Sequence, residues 1–344
     1  MSASVDAPIL EVRGLSVRFP GAEGPVTVVD GVDLTVFPGE RFAIVGESGS
    51  GKSLTLLSVL GLVDPPGEVR AELIRINGHD LDPNDHESFK RVRGRDVALV
   101  MQDPLAALSP VFSIGDQLVE TIRVHRPAPR RAALAEAIDL LHAVGIPDPH
   151  RRVRDYPHQF SGGMRQRVAI ALALACDPKL LLADEPTTAL DVTISAQMID
   201  LLRRLSEERG MAVVMVSHDL GVLAGFAEVL TVMYAGRIVE QGPVDRVYPD
   251  PAHPYTRALL ASQPRIRESQ RERLPVIPGQ PPDPARLPPG CSFHPRCSLS
   301  GGRAICQLDV PCLRRVAAST RWAACHFAEE QLIGAAPGRA GVAR

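Results

Sequence analysis

The sequence predicts an α/β fold in which helices surround a mainly parallel β-sheet. Between Gly39 and Gly210, short apolar runs alternate with longer segments of helical periodicity, which is the pattern of strands joined by crossover helices. Four parallel strands are predicted, at Phe42–Val45, Val97–Met101, Leu180–Ala183 and Ala212–Val216. A later apolar run, Val229–Met233, precedes Gly236–Gly242, and together they predict an antiparallel hairpin at the edge of the sheet.

The rest of the chain divides by composition into further units. About 80 residues of helical pattern, at about 103–178, separate the second and third predicted strands; this is too long for a simple crossover and predicts an inserted helical subdomain. We expect residues 1–262 to form one domain and the Pro-rich residues 263–290 to form a semi-rigid linker. A Cys-rich extension follows at 291–330, and the Ala-, Gly- and Arg-rich residues 331–344 are expected to be disordered.

Charge and hydropathy narrow the class of protein. The chain has 38 Lys and Arg against 40 Asp and Glu, so its net charge of −2 creates no global field for nucleic acid or anionic lipid. Any polyanion must therefore be bound by a local group of residues. The N-terminus has no basic start followed by an apolar run, and the longest apolar stretch, Val168–Cys176, is about half as long as a membrane-spanning helix. The sequence thus predicts a soluble, cytosolic chain.

A glycine-rich loop follows the first of the four parallel strands. It consists of Gly46, Glu47, Ser48, Gly49, Ser50, Gly51, Lys52 and Ser53, and Leu54 continues into a helical segment. This order of strand, loop and helix predicts a phosphate-binding loop, because the glycines allow successive backbone N–H groups to point at one anion. Lys52 would supply a cation for the terminal phosphates of a nucleotide, and the Ser53 hydroxyl would bind Mg²⁺.

Two acidic residues, Asp184 and Glu185, follow the predicted strand Leu180–Ala183. Because the carboxyl ends of parallel strands meet at one edge of a sheet, both carboxylates are expected beside the phosphate loop. One carboxylate suffices for a magnesium ion. We assign Asp184 to Mg²⁺, through a water molecule, and Glu185 to polarising the water that attacks the terminal phosphate.

A second anion site is predicted at Ser161-Gly162-Gly163, which precedes a strong helix-forming segment. Ser161 is placed to cap this helix, and the two glycines leave its N-terminus free of bulky side chains. One bound nucleotide already has its phosphates in the first loop. The second surface is therefore expected to contact a nucleotide that is held by another chain.

These motifs together resemble the nucleotide-binding domain of ABC transporters, over roughly Ile9 to Ala261. The resemblance is carried, in chain order, by the phosphate loop, Gln102, Ser161-Gly162-Gly163, Asp184-Glu185, Asp191 and His218. It implies a P-loop NTPase core with a parallel sheet, an antiparallel β subdomain and an inserted helical subdomain. It also implies ATP and Mg²⁺ as ligands, and a head-to-tail pair of domains in which each Ser161 segment closes the partner's ATP site.

The resemblance also implies roles for individual residues. Phe19 would stack on the adenine ring, with a core position on the first strand as the alternative. Gln102 would contact Mg²⁺ and the attacking water. Asp191 would cross the dimer interface, and His218 would contact the γ-phosphate. The implied magnesium ligands are Ser53, Gln102 and Asp184.

The segment after the core is similar to the C-terminal extension of dipeptide and oligopeptide permease ATP-binding subunits, and nickel importers share much of it. The similarity lies in Pro249–Ser262 and Gly290–Cys297. Cys176 ends an apolar helix and is expected in the core, whereas the extension contains Cys291, Cys297, Cys306, Cys312 and Cys325. Structural disulfides are not expected in a cytosolic chain, and the spacing of the cysteines allows either Zn²⁺ or an iron–sulfur cluster.

By resemblance to this family, four cysteines are the ligands of a [4Fe–4S] cluster, with Zn²⁺ or unligated thiols as the alternatives. The implied ligands are Cys291, Cys297, Cys306 and Cys325. Cys312 is then a spare thiol or an alternative ligand in place of Cys306. Such a cluster would hold the extension in place and implies no redox chemistry on a substrate.

The sequence therefore predicts the ATP-hydrolysing subunit of an ABC importer for dipeptides or oligopeptides, bound peripherally at the cytoplasmic face of the cell membrane. The implied partners are a second ABC ATPase subunit (a paralogue or a copy), two transmembrane permease subunits and an extracytoplasmic substrate-binding protein, with no nucleic acid. The alternatives are a nickel importer and a non-transport ABC protein acting on ribosomes or DNA. An iron–sulfur redox enzyme is disfavoured, because no flavin or dinucleotide pattern accompanies the cysteines.

Overall fold

A computed structural model of the chain describes residues 7–188, 190–263, 276–316 and 319–333. Residues 264–275 of the predicted linker and residues 334–344 of the predicted tail lie outside these ranges. Within the described ranges, no helix is long and apolar enough to cross a membrane.

The secondary structure alternates strands and helices through most of the described chain. The strands are β1 Leu10–Phe19, β2 Val26–Val36, β3 Arg41–Val45, β4 Glu68–Arg70, β5 Leu73–Ile76, β6 His79–Asp80, β7 Val97–Val100, β8 Leu180–Asp184, β9 Ala212–Ser217, β10 Val229–Tyr234, β11 Arg237–Pro243, β12 Arg314–Arg315 and β13 Trp322–Ala323. The α-helices are α1 Lys52–Val59, α2 His86–Lys90, α3 Pro104–Ala107, α4 Ile114–His125, α5 Arg130–Ala143, α6 Pro149–Arg152, α7 Gly162–Leu174, α8 Val192–Arg209, α9 Leu220–Ala224, α10 Val244–Val247, α11 Pro254–Ala261, α12 Ala304–Leu308 and α13 Ala328–Ile333. Short 3₁₀ turns occur at Pro157–Gln159, Pro284–Arg286 and His294–Arg296.

The larger sheet has the strand order β12-β13-β11-β10-β3-β9-β8-β7. Strands β10, β3, β9, β8 and β7 are parallel to one another, which confirms the predicted α/β class. The predicted hairpin forms between β10 and β11, which are antiparallel. Its predicted position at the edge is wrong, because β13 pairs with β11 and β12 pairs with β13. The Cys-rich extension thus adds its own strands to the sheet.

The smaller sheet is antiparallel, with the order β2-β1-β5-β6 and with β4 also paired to β1. It covers one face of the larger sheet. On β3, Phe42 and Ile44 join the apolar cluster that includes β1, β2 and α1, whereas Ala43 and Val45 join the cluster formed with α4, α5, α7 and α8. This alternation is the two-residue period expected of a strand that is buried on both faces.

Helices α3 to α7 lie between β7 and β8, in the stretch that was predicted to be helical. Side chains cap several of these helices. The Ser113 hydroxyl accepts a hydrogen bond from the N–H of Asp116 at the start of α4. The Ser161 hydroxyl accepts one from the N–H of Met164 at the start of α7, which confirms the predicted cap.

The parallel strands position the candidate site. Because β3, β7, β8 and β9 run in the same direction, the residues that follow them meet at one edge of the sheet. Those residues are the glycine-rich loop after β3, Gln102 after β7, Glu185 after β8 and His218 after β9.

Candidate functional site

The glycine-rich loop runs from the end of β3 into the start of α1. A side chain at Gly46 would clash, because a Cβ there would lie 2.2 Å from the carbonyl oxygen of Met233. Gly49 and Gly51 have φ angles of +78° and +100°, which other residues rarely adopt. Among the described residues no side chain caps α1, so the amides of its first turn stay available to an anion.

Lys52 is the first residue of α1 and is only 5% exposed. Its Nζ donates hydrogen bonds to the carbonyl oxygens of Gly46, at 2.8 Å, and Glu47, at 3.0 Å. Burial lowers the pKa of Lys52, against the opposing effect of the nearby carboxylates of Glu185, Asp184 and Glu47. The described hydrogen-bond partners of this buried ammonium are backbone carbonyls, so a phosphate group in the loop would give it a direct counter-ion.

Ser53 and Asp184 meet across the loop, and the Ser53 hydroxyl donates a hydrogen bond of 2.9 Å to Oδ1 of Asp184. Burial raises the pKa of Asp184, and the neighbouring carboxylate of Glu185 adds to this, while Ser53 and Lys52 act in the opposite direction. Hydroxyl and carboxylate oxygens are ligands that Mg²⁺ accepts, so the pair fits a magnesium site.

Oε2 of Glu185 is surrounded by three side chains. Nδ1 of His218 lies 3.1 Å away, the Thr188 hydroxyl donates at 2.7 Å, and Nε2 of Gln102 donates at 3.5 Å. The backbone of Glu185 is in the left-handed region, with a φ of 44°, at a cost of about 1–3 kcal/mol for a residue with a side chain. Strain of this kind is retained where the surrounding structure fixes a functional side chain.

An open cavity of about 670 Å³ lies in front of these groups. It is lined by Val28, Ser48, Gly49, Gly51, Lys52, Ser53, Leu54, Gln102, Glu185, Thr188 and His218. The buried hydroxyl of Ser50 has no hydrogen-bond partner among the residues that the structure describes. Free amides, a buried cation and a hydroxyl–carboxylate pair suit a magnesium-bound polyphosphate.

The chain matches the models of two known protein families. Residues 29–188 match the family model of the ABC transporter, and residues 239–306 match the model of the oligopeptide/dipeptide transporter C-terminal region. A putative peptide import ATP-binding protein of Brucella melitensis is 49% identical over 320 residues, which cover 90% of this chain and 94% of that protein. The chain belongs to the ABC transporter family of ATP-binding proteins.

Further relatives and solved structures agree with this membership. A putative peptide import ATP-binding protein of Brucella abortus is 48% identical over 87% of this chain and 94% of its own length. A dimeric ATP-binding cassette in a post-hydrolysis state, bound to ADP and Pi, is 27% identical with a TM-score of 0.61, over 68% of this chain and 98% of that one. cbiO1 from Clostridium perfringens, part of an ABC transporter complex, is 25% identical with a TM-score of 0.61, over 71% and 92% of the two chains.

In this ABC protein, the Ser161-Gly162-Gly163 segment starts α7 and lies at the surface, and the described lining of the 670 Å³ cavity does not include it. Asp191 is likewise exposed, and its side chain caps α8 by accepting a hydrogen bond of 2.8 Å from the N–H of Ile194. Asp191 is also outside the described lining of that cavity. Their predicted roles toward a second subunit stay predictions.

Phe19 ends β1 and is half-buried against the apolar cluster beneath the smaller sheet. A Cβ added at Gly67 would lie 2.8 Å from its ring. Phe19 is not part of the described lining of the phosphate cavity, where Val28 is the apolar residue from this sheet. Stacking of Phe19 on adenine stays a prediction.

Four cysteines of the extension line one small pocket, together with three histidines. They are Cys291, Cys297, Cys306 and Cys325, with His253, His294 and His326. Burial raises the pKa of Cys325 to about 12 and raises the pKa of the other three cysteines as well, so these thiols hold their protons unless a cation replaces them. Within the described ranges, no three His, Cys, Asp or Glu side chains are placed so that they could hold a metal ion.

Two further cysteines lie elsewhere. Cys312 is exposed and lines a neighbouring cavity of about 290 Å³, to which Cys291 also contributes. Cys176 is half-buried and packs against the core beside α4, and its thiol lies 3.8 Å from the carbonyl oxygen of Thr121.

Sequence reasoning missed two residues of the site. Thr188 bonds Glu185 directly, and its only sequence signal is its position three residues after that carboxylate. Arg296 of the Cys-rich extension binds Glu47 in the phosphate loop through two hydrogen bonds, of 2.7 and 3.0 Å. The two residues are 249 positions apart, and no local pattern links them.

Proposed function

We propose that this chain is the ATP-hydrolysing subunit of an importer for dipeptides or oligopeptides, and that it works peripherally at the cytoplasmic face of the membrane. The observation that carries the ATPase part is the convergence of Lys52, the Ser53–Asp184 pair and Glu185 at one edge of the sheet. The peptide part is supported by the match at residues 239–306 and by the similarity to the peptide import ATP-binding proteins of Brucella.

In the proposed reaction, the loop amides and Lys52 bind the β- and γ-phosphates of ATP. Ser53, Gln102 and Asp184 would hold Mg²⁺, which neutralises charge on the phosphate oxygens. Glu185 orients a water molecule for attack on the γ-phosphorus, and His218 contacts the γ-phosphate. The bond between the γ-phosphorus and the bridging oxygen breaks, and the products are ADP and inorganic phosphate.

A second ATPase subunit would complete the site. The exposed N-terminus of α7 at Ser161 lies outside the described lining of its own cavity, so we assign it to the nucleotide held by the partner. Asp191 would lie at the same interface. The remaining proposed partners are two transmembrane permease subunits, to which the Gln102 loop would transmit the motion, and an extracytoplasmic substrate-binding protein.

We further propose that Cys291, Cys297, Cys306 and Cys325 hold a [4Fe–4S] cluster that fixes the extension. Their common pocket supports a shared ligand. A single Zn²⁺ needs its four thiolates at about 2.3 Å from one point. A four-iron cluster binds each thiolate at a different iron, so its four ligands need not meet at one point.

Peptide uptake by cells tests the proposed function. Lys52→Ala removes the buried cation of the phosphate loop and should reduce uptake to the level of cells that lack the gene. Lys90→Ala is the matched control, because Lys90 is 64% exposed and pairs with Glu87 in α2. Parental uptake by cells that carry Lys52→Ala at normal protein levels would overturn the proposal.

A further inference from the structure

The phosphate loop is attached to the Cys-rich extension through a partly buried ion pair. Nη1 and Nη2 of Arg296 donate to Oε2 and Oε1 of Glu47 at 2.7 and 3.0 Å, so the guanidinium binds the carboxylate through both arms. Glu47 is the second residue of the loop, and Arg296 directly precedes Cys297. Paired geometry of this kind is the strongest form of the Arg–carboxylate contact.

The Arg296 side chain is more buried than that of Glu47, and it makes further hydrogen bonds of its own. Its side chain is 6% exposed, against 23% for Glu47. Nε donates to the carbonyl oxygen of Pro278 at 2.9 Å, and Nη1 also donates to the Tyr234 hydroxyl at 3.3 Å. The guanidinium carbon lies 6.0 Å from the centre of the Phe293 ring. A charge this deeply buried requires its partner, because loss of either member would leave the other uncompensated.

A second contact holds the backbone of the same loop residue. The N–H of Glu47 donates to the Tyr255 hydroxyl at 2.8 Å. Tyr255 is fully buried on α11, and its ring packs against Tyr234 and Phe293, at 4.6 and 5.4 Å between ring centres. Glu47 is therefore fixed at its side chain and at its backbone by residues outside the loop.

The position of Glu47 bears directly on Lys52. The Glu47 carbonyl oxygen accepts one of the two hydrogen bonds of the Lys52 ammonium, and its carboxylate acts on the same charge. An unpaired carboxylate at this point would also repel a polyphosphate that enters the loop. Arg296 offsets that negative charge and keeps the carboxylate directed at the extension.

We propose that Arg296 is a positioning residue of the ATP site: it acts through Glu47 to hold the phosphate loop in its binding conformation and to neutralise the loop's own carboxylate. The expected consequence is a higher affinity for ATP, and this part of the inference rests on the proposed ATPase function. It assigns the Cys-rich extension a part in nucleotide binding, because Arg296 lies on the turn between Cys291 and Cys297.

ATP affinity of the full-length chain tests this assignment. Arg296→Ala should raise the Kd for ATP about tenfold, because it loosens the loop and exposes the Glu47 carboxylate. The turnover rate at saturating ATP should change less than about twofold, since the contact is made equally in the ground state and the transition state. Arg296→Lys keeps the charge but loses the two-armed contact, so its Kd for ATP should lie between that of the parent chain and that of Arg296→Ala.

Arg314→Ala is the matched control for damage to the extension. Arg314 also forms a two-armed ion pair, with Glu329, at 2.6 and 2.7 Å, and both partners belong to the extension. If its effect on the Kd for ATP equals that of Arg296→Ala, the assignment is overturned in favour of general destabilisation. A double-mutant cycle adds a second check: in a Glu47→Ala background, the further change Arg296→Ala should alter the Kd less than it does in the parent.

Amide hydrogen exchange without nucleotide separates this inference from the proposed function. Peptides covering residues 46–53 should exchange several-fold faster in Arg296→Ala than in the parent, and Arg314→Ala should leave them unchanged. Unchanged exchange in Arg296→Ala, or in Arg296→Lys if the alanine variant fails to fold, would overturn the role of Arg296. A parent chain that binds no ATP would overturn the ATPase proposal instead, and the exchange comparison would still decide whether Arg296 orders the loop.

Discussion

Nδ1 of His218 lies 3.1 Å from Oε2 of Glu185, although the two residues follow different strands of the sheet. The same oxygen accepts hydrogen bonds from Thr188 and Gln102. A carboxylate with this many partners has a fixed direction, which is what positioning a water molecule requires. The left-handed backbone of Glu185 sets that direction, together with the hydrogen bond that its N–H donates to the carbonyl oxygen of Val216.

We therefore predict that Glu185→Gln leaves ATP binding intact and lowers turnover at least about a hundredfold, because the amide keeps the shape of the side chain but loses its charge. Bound nucleotide and phosphate release are measured on the same sample. Glu87→Gln, an exposed glutamate in α2, serves as the control. Full turnover by Glu185→Gln would remove Glu185 from its assigned role.

The surface position of Ser161 leads to a second prediction. In the isolated chain, Ser161→Arg should change the Kd for ATP less than about twofold, because Ser161 is exposed and lies outside the described lining of the chain's own cavity. In the assembled transporter, the same change should abolish most of the ATP turnover, since the arginine would block the contact with the partner's nucleotide. Lys52→Ala should lose ATP binding in both settings. Parental turnover by the Ser161→Arg complex would contradict the predicted role.

The central strands of the fold were predictable because each is a continuous apolar run. β3, β7, β8 and β9 differ from their predicted ranges by one residue at one end, and the motifs that follow them meet as expected. The edge of the sheet was not predictable. β12 and β13 are two residues long, too short to show a periodicity, and β13 joins the sheet through pairing with β11, about 80 residues earlier in the chain. The contact between Arg296 and Glu47 was hidden for the same reason, because its partners are distant in sequence.

A third prediction concerns pH. Glu240 on β11 is fully buried and accepts hydrogen bonds from the N–H groups of Ala252, at 2.7 Å, and His253, at 3.0 Å. Burial raises its pKa from 4.5 to about 7. Because the folded state holds this proton more tightly than the unfolded state, the stabilisation is fully present below pH 4.5 and is lost as the pH rises through about 7.

The free energy of unfolding should therefore fall by up to about 3 kcal/mol across this window through Glu240 alone. Urea unfolding at several pH values between 4.5 and 8 measures it, with Glu240→Gln as the comparison. The glutamine adds a constant penalty, since its amide nitrogen faces a backbone N–H, but it removes the titration. Burial lowers the pKa of His253 to about 3, so its titration makes the free energy of unfolding rise with pH. This contribution is present in both proteins and cancels when their pH profiles are subtracted. Parallel pH profiles for the two proteins would contradict the prediction.

The last prediction separates the cysteines. Cys306 lines the pocket shared with Cys291, Cys297 and Cys325, and its carbonyl oxygen accepts a hydrogen bond of 2.9 Å from the N–H of Cys291. Cys312 is exposed and lines the neighbouring cavity instead. Chain purified without oxygen should contain roughly four iron and four sulfide per molecule and absorb visible light.

Cys306→Ser should lose most of the iron and the visible absorption, because one iron would lack its thiolate, whereas Cys312→Ser should keep both. Iron, sulfide and zinc are measured together on each protein. About one zinc per chain with no iron would contradict the proposed cluster and would show a mononuclear zinc site instead. If the iron is retained in Cys306→Ser and lost in Cys312→Ser, Cys312 is the cluster ligand and Cys306 is the spare thiol.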